Sequence, residues 1–129
     1  MRDFQLPPDD LICPATEIFD NASVWAEIER PTEHKERSPA ERRAGVVNLL
    51  NSAQAKGRAA IAKAIVASPF AARQSTRAYC WLTDCLVVTT LRFACQYLHP
   101  LPNPTEAERI SILAVGGYGR GEMAPFSDV

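Results

Sequence analysis

An excess of charge of either sign is missing from this 129-residue chain: fourteen Lys and Arg stand against fifteen Asp and Glu, a formal net charge of −1. Such a balance gives no electrostatic footprint for a nucleic-acid backbone or an anionic membrane. Long apolar runs are also missing, so no segment is expected to span a bilayer. The N-terminal MRDFQLPPDDLICP has acids where a secretion signal needs basic residues, and it lacks an apolar core. The expectation is a cytoplasmic protein with neither nucleic acid nor membrane as partner. Histidine is scarce (His34 and His99), and none of Cys13, Cys80, Cys85 and Cys95 forms a C-x-x-C pair. Zinc-binding spacing is therefore absent. Three of the four cysteines fall in one apolar, helix-like segment, and they read as small buried thiols in a reducing compartment. Internal repeats and low-complexity stretches are absent.

What is present is enough apolar matter for a core, 47% of residues, in a chain of single-domain length. Residues 1–37 are rich in proline and charge and read as a poorly ordered N-terminal extension. Within it, Pro7-Pro8-Asp9-Asp10 suggests an extended segment and turn. Asn21 to Arg30 could form a short helix with Val24, Trp25 and Ile28 on one face, and Glu29 to Glu36 a solvated loop. Ser38-Pro39-Ala40-Glu41 is a helix start, with a capping serine, a proline at the first position and a glutamate closing the capping box. Ala44, Val47, Leu50, Ile61, Ala64 and Ile65 then form a stripe, which Gly57 weakens. Ser68-Pro69 is expected to end this helix and start another by the same device. In the second, Ala78, Leu82, Leu86, Phe93 and Tyr97 share a face, and Pro100 and Pro102 close it. Residues 38–99 are thus predicted to be a hairpin of two long antiparallel helices. Trp81, Tyr79 and Tyr97 read as core residues. Residues 100–109 form a Pro-rich linker with a turn at Glu106 to Arg109. Ile110 to Val115 reads as a short buried strand ended by Gly116-Gly117.

The most distinctive stretch is the last, AVGGYGRGEMAPFSDV, with four glycines within six residues. A strand followed by glycines that open a helix is a general phosphate-handling device, because bare backbone N–H groups can approach an anion. Three versions of it compete. The P-loop needs Lys and Ser/Thr where Glu122 and Met123 stand, and an acid there would repel a triphosphate. Gly119-Arg-Gly121-Glu-Met-Ala124 matches the dinucleotide fingerprint literally, but Pro125 falls inside the required helix. The third is the nucleotidyltransferase arrangement, in which Gly-Gly ends one strand and the next opens with Asp-x-Asp. Carboxylates at i and i+2 of a strand face one side and can hold Mg²⁺ together. Asp128 would be the first carboxylate, Val129 the residue between, and the second would be the next residue. The expectation is a chain cut inside its metal motif, an N-terminal fragment that is mostly α and leads into the first strand of an α+β, polymerase-β-like nucleotidyltransferase domain (residues 110–129).

Val115-Gly-Gly-Tyr-Gly-Arg-Gly-Glu-Met-Ala-Pro-Phe-Ser-Asp-Val129 resembles the signature of the bacterial bifunctional uridylyltransferase/uridylyl-removing enzymes, whose pattern runs G-G-Y-G-R-G-E-L-x-P-x-S-D-[IV]-D. Met123 stands here in place of leucine. The similarity covers about residues 38 to 129, and the last fifteen residues carry most of its specificity. It implies a full-length enzyme that attaches UMP from UTP to a tyrosine of the PII signalling protein. The same enzyme would remove UMP at a separate hydrolase site and sense glutamine through C-terminal domains. It also implies Mg²⁺ as cofactor, Asp128 as metal ligand, and Gly116 and Gly117 as phosphate-loop glycines. Arg120 would neutralise triphosphate charge, or pair with Glu122 or Asp128. Ser127 would hydrogen-bond phosphate, or cap the strand entry. Tyr118 and Phe126 would be packing residues. The fragment alone is expected to be inactive. Two alternatives stand beside this reading: a fragment of the adenylyltransferase that modifies glutamine synthetase, and a non-catalytic helical interaction module.

Overall fold

A computed structural model describes residues 6–30, 38–103 and 110–127. Its frame is the expected pair of long helices, labelled α3 (Pro39–Ala67) and α4 (Ala72–Phe93), preceded by α1 (Ala15–Ile18) and α2 (Asn21–Glu29). The start of α3 follows from the local sequence. The Ser38 hydroxyl accepts the Glu41 N–H at 3.2 Å, and the Glu41 carboxylate accepts the Ser38 N–H at 2.8 Å. Each bond satisfies a backbone donor that the first helical turn leaves open. The start of α4 departs from expectation. Ser68 is already engaged in ending α3, its N–H bonded to the carbonyls of Ala64 and Ile65. Its own carbonyl accepts from Ala71 at 3.1 Å, and α4 begins only at Ala72, without a side-chain cap.

The two helices run antiparallel. Arg42, near the start of α3, lies over the ring of Tyr97, beyond the end of α4, at 5.0 Å from its centroid. The final turn after α4, Ala94–Leu98, is π-helical and ends with the His99 N–H on the Ala94 carbonyl, just before Pro100. Phe93 and Tyr97 stack across it at 5.5 Å. Of the expected α4 face, Ala78, Leu82 and Phe93 are buried, and Leu86 and Tyr97 half-buried. On α3 the stripe shifts by one residue at its start: Val46 is buried and Val47 exposed, while Ile61 is completely enclosed.

The expected N-terminal extension is corrected over residues 6–30. Ile18, Phe19 and Val24 join the main core with Ile61, Ala78 and Leu82, while Trp25 forms a second cluster with Val46 and Phe93. Asp20 caps α2 through its carboxylate on the Ser23 N–H, and Arg92 stacks over Trp25 at 4.3 Å. These residues are ordered because they cover a helical hairpin that could not bury its inner face with two helices alone. Their proline and charge content masked that role. Ala15-Thr-Glu-Ile18 is too short to show a helical period. The loop expected from Glu29 to Glu36 lies largely outside the described residues, as does the turn at Glu106 to Arg109.

The contact that fixes the three-way crossing is at Gly57. A Cβ there would lie 2.3 Å from the Ile18 carbonyl oxygen and 2.9 Å from Leu82 Cδ1. Gly57 therefore lets the end of α1 press directly on the α3 backbone. Alanine would normally gain about 1 kcal/mol over glycine inside a helix. Here overpacking against backbone should outweigh that gain, and Gly57→Ala should destabilise the fold by about 1–3 kcal/mol in urea denaturation. A variant as stable as the parent would show that α1 yields freely at this point.

The expectation of buried thiols holds for Cys80 and Cys85, while Cys13 and Cys95 are half-buried. All four are free, and burial pushes the Cys85 thiol up to about 12. At pH 8 only about one molecule in ten thousand would carry a Cys85 thiolate. Iodoacetamide should therefore spare Cys85 in the folded protein and label it in urea. Rapid native labelling at Cys85 would contradict this packing.

Candidate functional site

The glycine-rich segment is a single tight turn resting on the helices. The approach to it, Ile110 to Val115, differs from the buried strand expected. It belongs to no helix or strand, with Leu113 83% and Val115 70% exposed. A strand needs a neighbour for its backbone groups and a core for its alternate side chains. Among the described residues there is no strand to supply either.

Gly116 reverses the chain with φ of 62°, and Gly116–Gly119 form the short helix α5. The end of α5 has a definite geometry. Gly121 takes φ of 73°, its N–H bonds to the Tyr118 carbonyl at 3.0 Å, and the Glu122 N–H bonds to the Gly117 carbonyl at 2.8 Å. This is a Schellman motif, whose left-handed position glycine fills without steric cost. Gly116 and Gly117 therefore occupy the first turn of α5, where N–H groups have no acceptor within the helix. A second turn follows from Ala124 to Ser127, with Pro125 at its first central position. The Ser127 N–H bonds to the Ala124 carbonyl at 3.1 Å, and the Ser127 hydroxyl accepts the Ala124 N–H at 3.0 Å.

Side chains from α3 and α4 hold this segment. The Tyr118 hydroxyl donates to the Asp84 carboxylate. The Thr83 hydroxyl donates back to the Tyr79 carbonyl at 3.0 Å and lies 3.4 Å from the sulfur of Met123, which is buried at 5% exposure. From the other helix, the Arg58 guanidinium donates to the Pro125 carbonyl. It also lies 5.5 Å from the Tyr79 ring and 5.8 Å from the Phe126 ring. Phe126 itself is 93% exposed, so the packing role expected for it reduces to this contact with the arginine.

The site residues expected from sequence divide accordingly. Gly116, Gly117 and Arg120 share one turn, and Ser127 closes the next. Asp128 lies outside the described residues. Arg120 pairs with Glu122 at 3.1 Å, with both side chains about two-thirds exposed, so the pair contributes little stability. Arg58 and Asp84 were not singled out by sequence, and Met123 was noted only as a replacement for leucine. Asp84 left one signal, as the sole acid between Ala72 and Phe93. Arg58 left none beyond its place next to Gly57. Among the described residues no group of three His, Cys, Asp or Glu could hold a metal ion, and no helix is long and apolar enough to cross a membrane.

Comparison with known proteins places this geometry in context. The chain is 52% identical over 112 residues to a bifunctional uridylyltransferase/uridylyl-removing enzyme of Ruegeria pomeroyi, an alignment covering 87% of the chain and 12% of the relative. It is 48% identical over 123 residues to the enzyme of that name from Cereibacter sphaeroides, covering 92% and 13%. The corresponding enzyme of Erythrobacter litoralis is 37% identical over 112 residues, covering 87% and 12%. No family model and no solved structure matches. The chain is homologous to one segment of the bifunctional uridylyltransferase/uridylyl-removing enzymes and spans about an eighth of their length.

The Tyr118–Asp84 contact has a pH signature. Burial raises the Asp84 carboxyl above its ordinary 3.8, and the hydrogen bond from Tyr118 pulls it partly back. Burial, reinforced by Asp84, also raises the Tyr118 hydroxyl. A carboxyl raised in the folded state contributes stability that is full below its unfolded value and is lost as pH rises through its folded value. Asparagine keeps an acceptor for Tyr118 without the charge. Asp84→Asn should therefore gain stability relative to the parent as pH rises from about 4 to 7. Urea titrations at several pH values would show this. A difference that stays flat, or moves the other way, would mean that water reaches Asp84 in the folded protein.

Proposed function

We propose that this chain contributes the triphosphate-binding turn of a uridylyltransferase, in a full-length enzyme that transfers UMP from UTP to a tyrosine of the PII signalling protein. The same enzyme would remove UMP at a separate site in response to glutamine. The observation that carries the proposal is the Gly116-Gly117 turn, with Gly116 exposed and Gly117 half-buried. Its bare backbone opens a helix directly after the extended Val115, in a chain homologous to enzymes named for both reactions. Amides of a first helical turn suit the oxygens of a phosphate group. In this proposal Arg120 leaves Glu122 to face the triphosphate, and Ser127 retains a hydroxyl proton to donate. The names of the relatives support the uridylyl over the adenylyl alternative, and an enzyme segment over a non-catalytic module. A cytoplasmic location belongs to the same proposal.

Mg²⁺ enters through the expected Asp-x-Asp arrangement and through the family resemblance. The described residues do not assemble a site for it, because the acid nearest the turn, Glu122, is paired with Arg120. Asp128 would need further carboxylates from outside the chain before a metal could be held. It follows that the 129-residue chain alone should not transfer UMP.

The test uses the full-length protein. Asp128→Asn keeps size but removes charge, and loss of a metal ligand costs several kcal/mol in the transition state. Uridylyl transfer should fall by about a hundredfold or more, while uridylyl removal persists. If the variant lost removal and kept transfer, Asp128 would have to be assigned elsewhere.

A further inference from the structure

We infer that Asp84 and Arg58 are positioning residues for uridylyl transfer: the two long helices grip the glycine turn at its middle and just beyond its end, and set the direction of its backbone. The inference rests on the reading of that turn as a phosphate-binding loop. Its physical basis is a shortage within the turn itself. A four-residue helix with three glycines cannot hold its own shape, since nucleation is unfavourable and glycine loses the most freedom on ordering. The order must come from outside.

The structure supplies two independent tethers. One comes from α4, where Asp84 accepts the Tyr118 hydroxyl and Thr83 reaches Met123. The other comes from α3, where Arg58 holds the Pro125 carbonyl. Tyr118 lies within the Schellman turn and Pro125 beyond its end, so both its interior and its exit are tied down. Gly116 lies outside this grip, with nothing within 4 Å of the place a Cβ would take. The tethers thus restrain the turn without covering the backbone that would meet phosphate. Holding such a group in its productive orientation beforehand removes an entropic cost from the transition state.

The test compares Tyr118→Phe, Asp84→Ala, their double variant, Asp84→Asn and Arg58→Gln in the full-length enzyme, with UTP as the probe. Each of Tyr118→Phe, Asp84→Ala and Arg58→Gln should lower kcat/KM for uridylyl transfer by about tenfold. The double variant should be no worse than its weaker parent, because both changes break one contact. Asp84→Asn should restore most of the loss, and uridylyl removal should stay within about twofold of the parent as the measure of an intact fold. Parallel loss of removal, additive effects in the double variant, or failure of asparagine to rescue would each overturn the inference. A parent enzyme that transferred nothing from UTP would instead defeat the proposed function. The grip would then be judged by amide exchange at Gly119 and Glu122, expected to quicken about tenfold in Asp84→Ala. Unchanged exchange there would overturn it.

Discussion

The fold depends on one steric allowance, the absence of a side chain at Gly57. Because the Ile18 carbonyl can press against α3 there, α1, α3 and α4 meet at a single crossing with Leu82 between them. Neighbouring positions inherit their placement from that crossing. Ile61, one turn further along α3, becomes fully enclosed, and Arg58, the next residue, emerges beside Tyr79 of α4. A wider crossing would leave Ile61 in a void and carry Arg58 away from the glycine segment. Packing in the core and the reach of one surface arginine are thereby coupled.

The same frame accounts for the chemistry assigned to the C-terminal segment. Glycines give a backbone that an anion can approach, but they give no means of holding that backbone still. Rigid helices have the opposite properties. The protein combines them by lending side chains from α3 and α4 to a turn that has almost none of its own. Met123 illustrates the division of labour. It is buried, as a leucine of the family pattern could be, and its sulfur lies 3.4 Å from the Thr83 hydroxyl, a polar contact that a leucine could not make.

Legibility from sequence followed the range of the forces involved. The capping box at Ser38 was readable because its two hydrogen bonds span three residues. The α4 face was readable because Ala78, Leu82 and Phe93 repeat with the helical period. Ser68 misled because the same residue can end one helix or begin another, and its N–H was already committed to α3. The segment Ile110 to Val115 has the branched composition of a strand, but strand formation depends on a partner that composition cannot display. Apart from the short helix expected at Asn21 to Arg30, which α2 matches, the N-terminal residues looked poorly ordered because their order comes from burying Ile18, Phe19 and Trp25 on distant helices. In the site, the glycines announced themselves, while Arg58 and Asp84 act across 67 and 34 positions of chain and carry no local mark.

The direction of those long spans also has a meaning in time. Both anchors precede the segment they hold, since Arg58 and Asp84 are synthesised well before Pro125 and Tyr118. A helical hairpin is built from local contacts and forms quickly, and chains begin to organise from their N-terminal end during synthesis. When the glycines leave the ribosome, the surface that receives them can already exist. The most conformationally free part of the chain therefore never has to search for its shape alone, and the order of the genetic message doubles as an order of assembly.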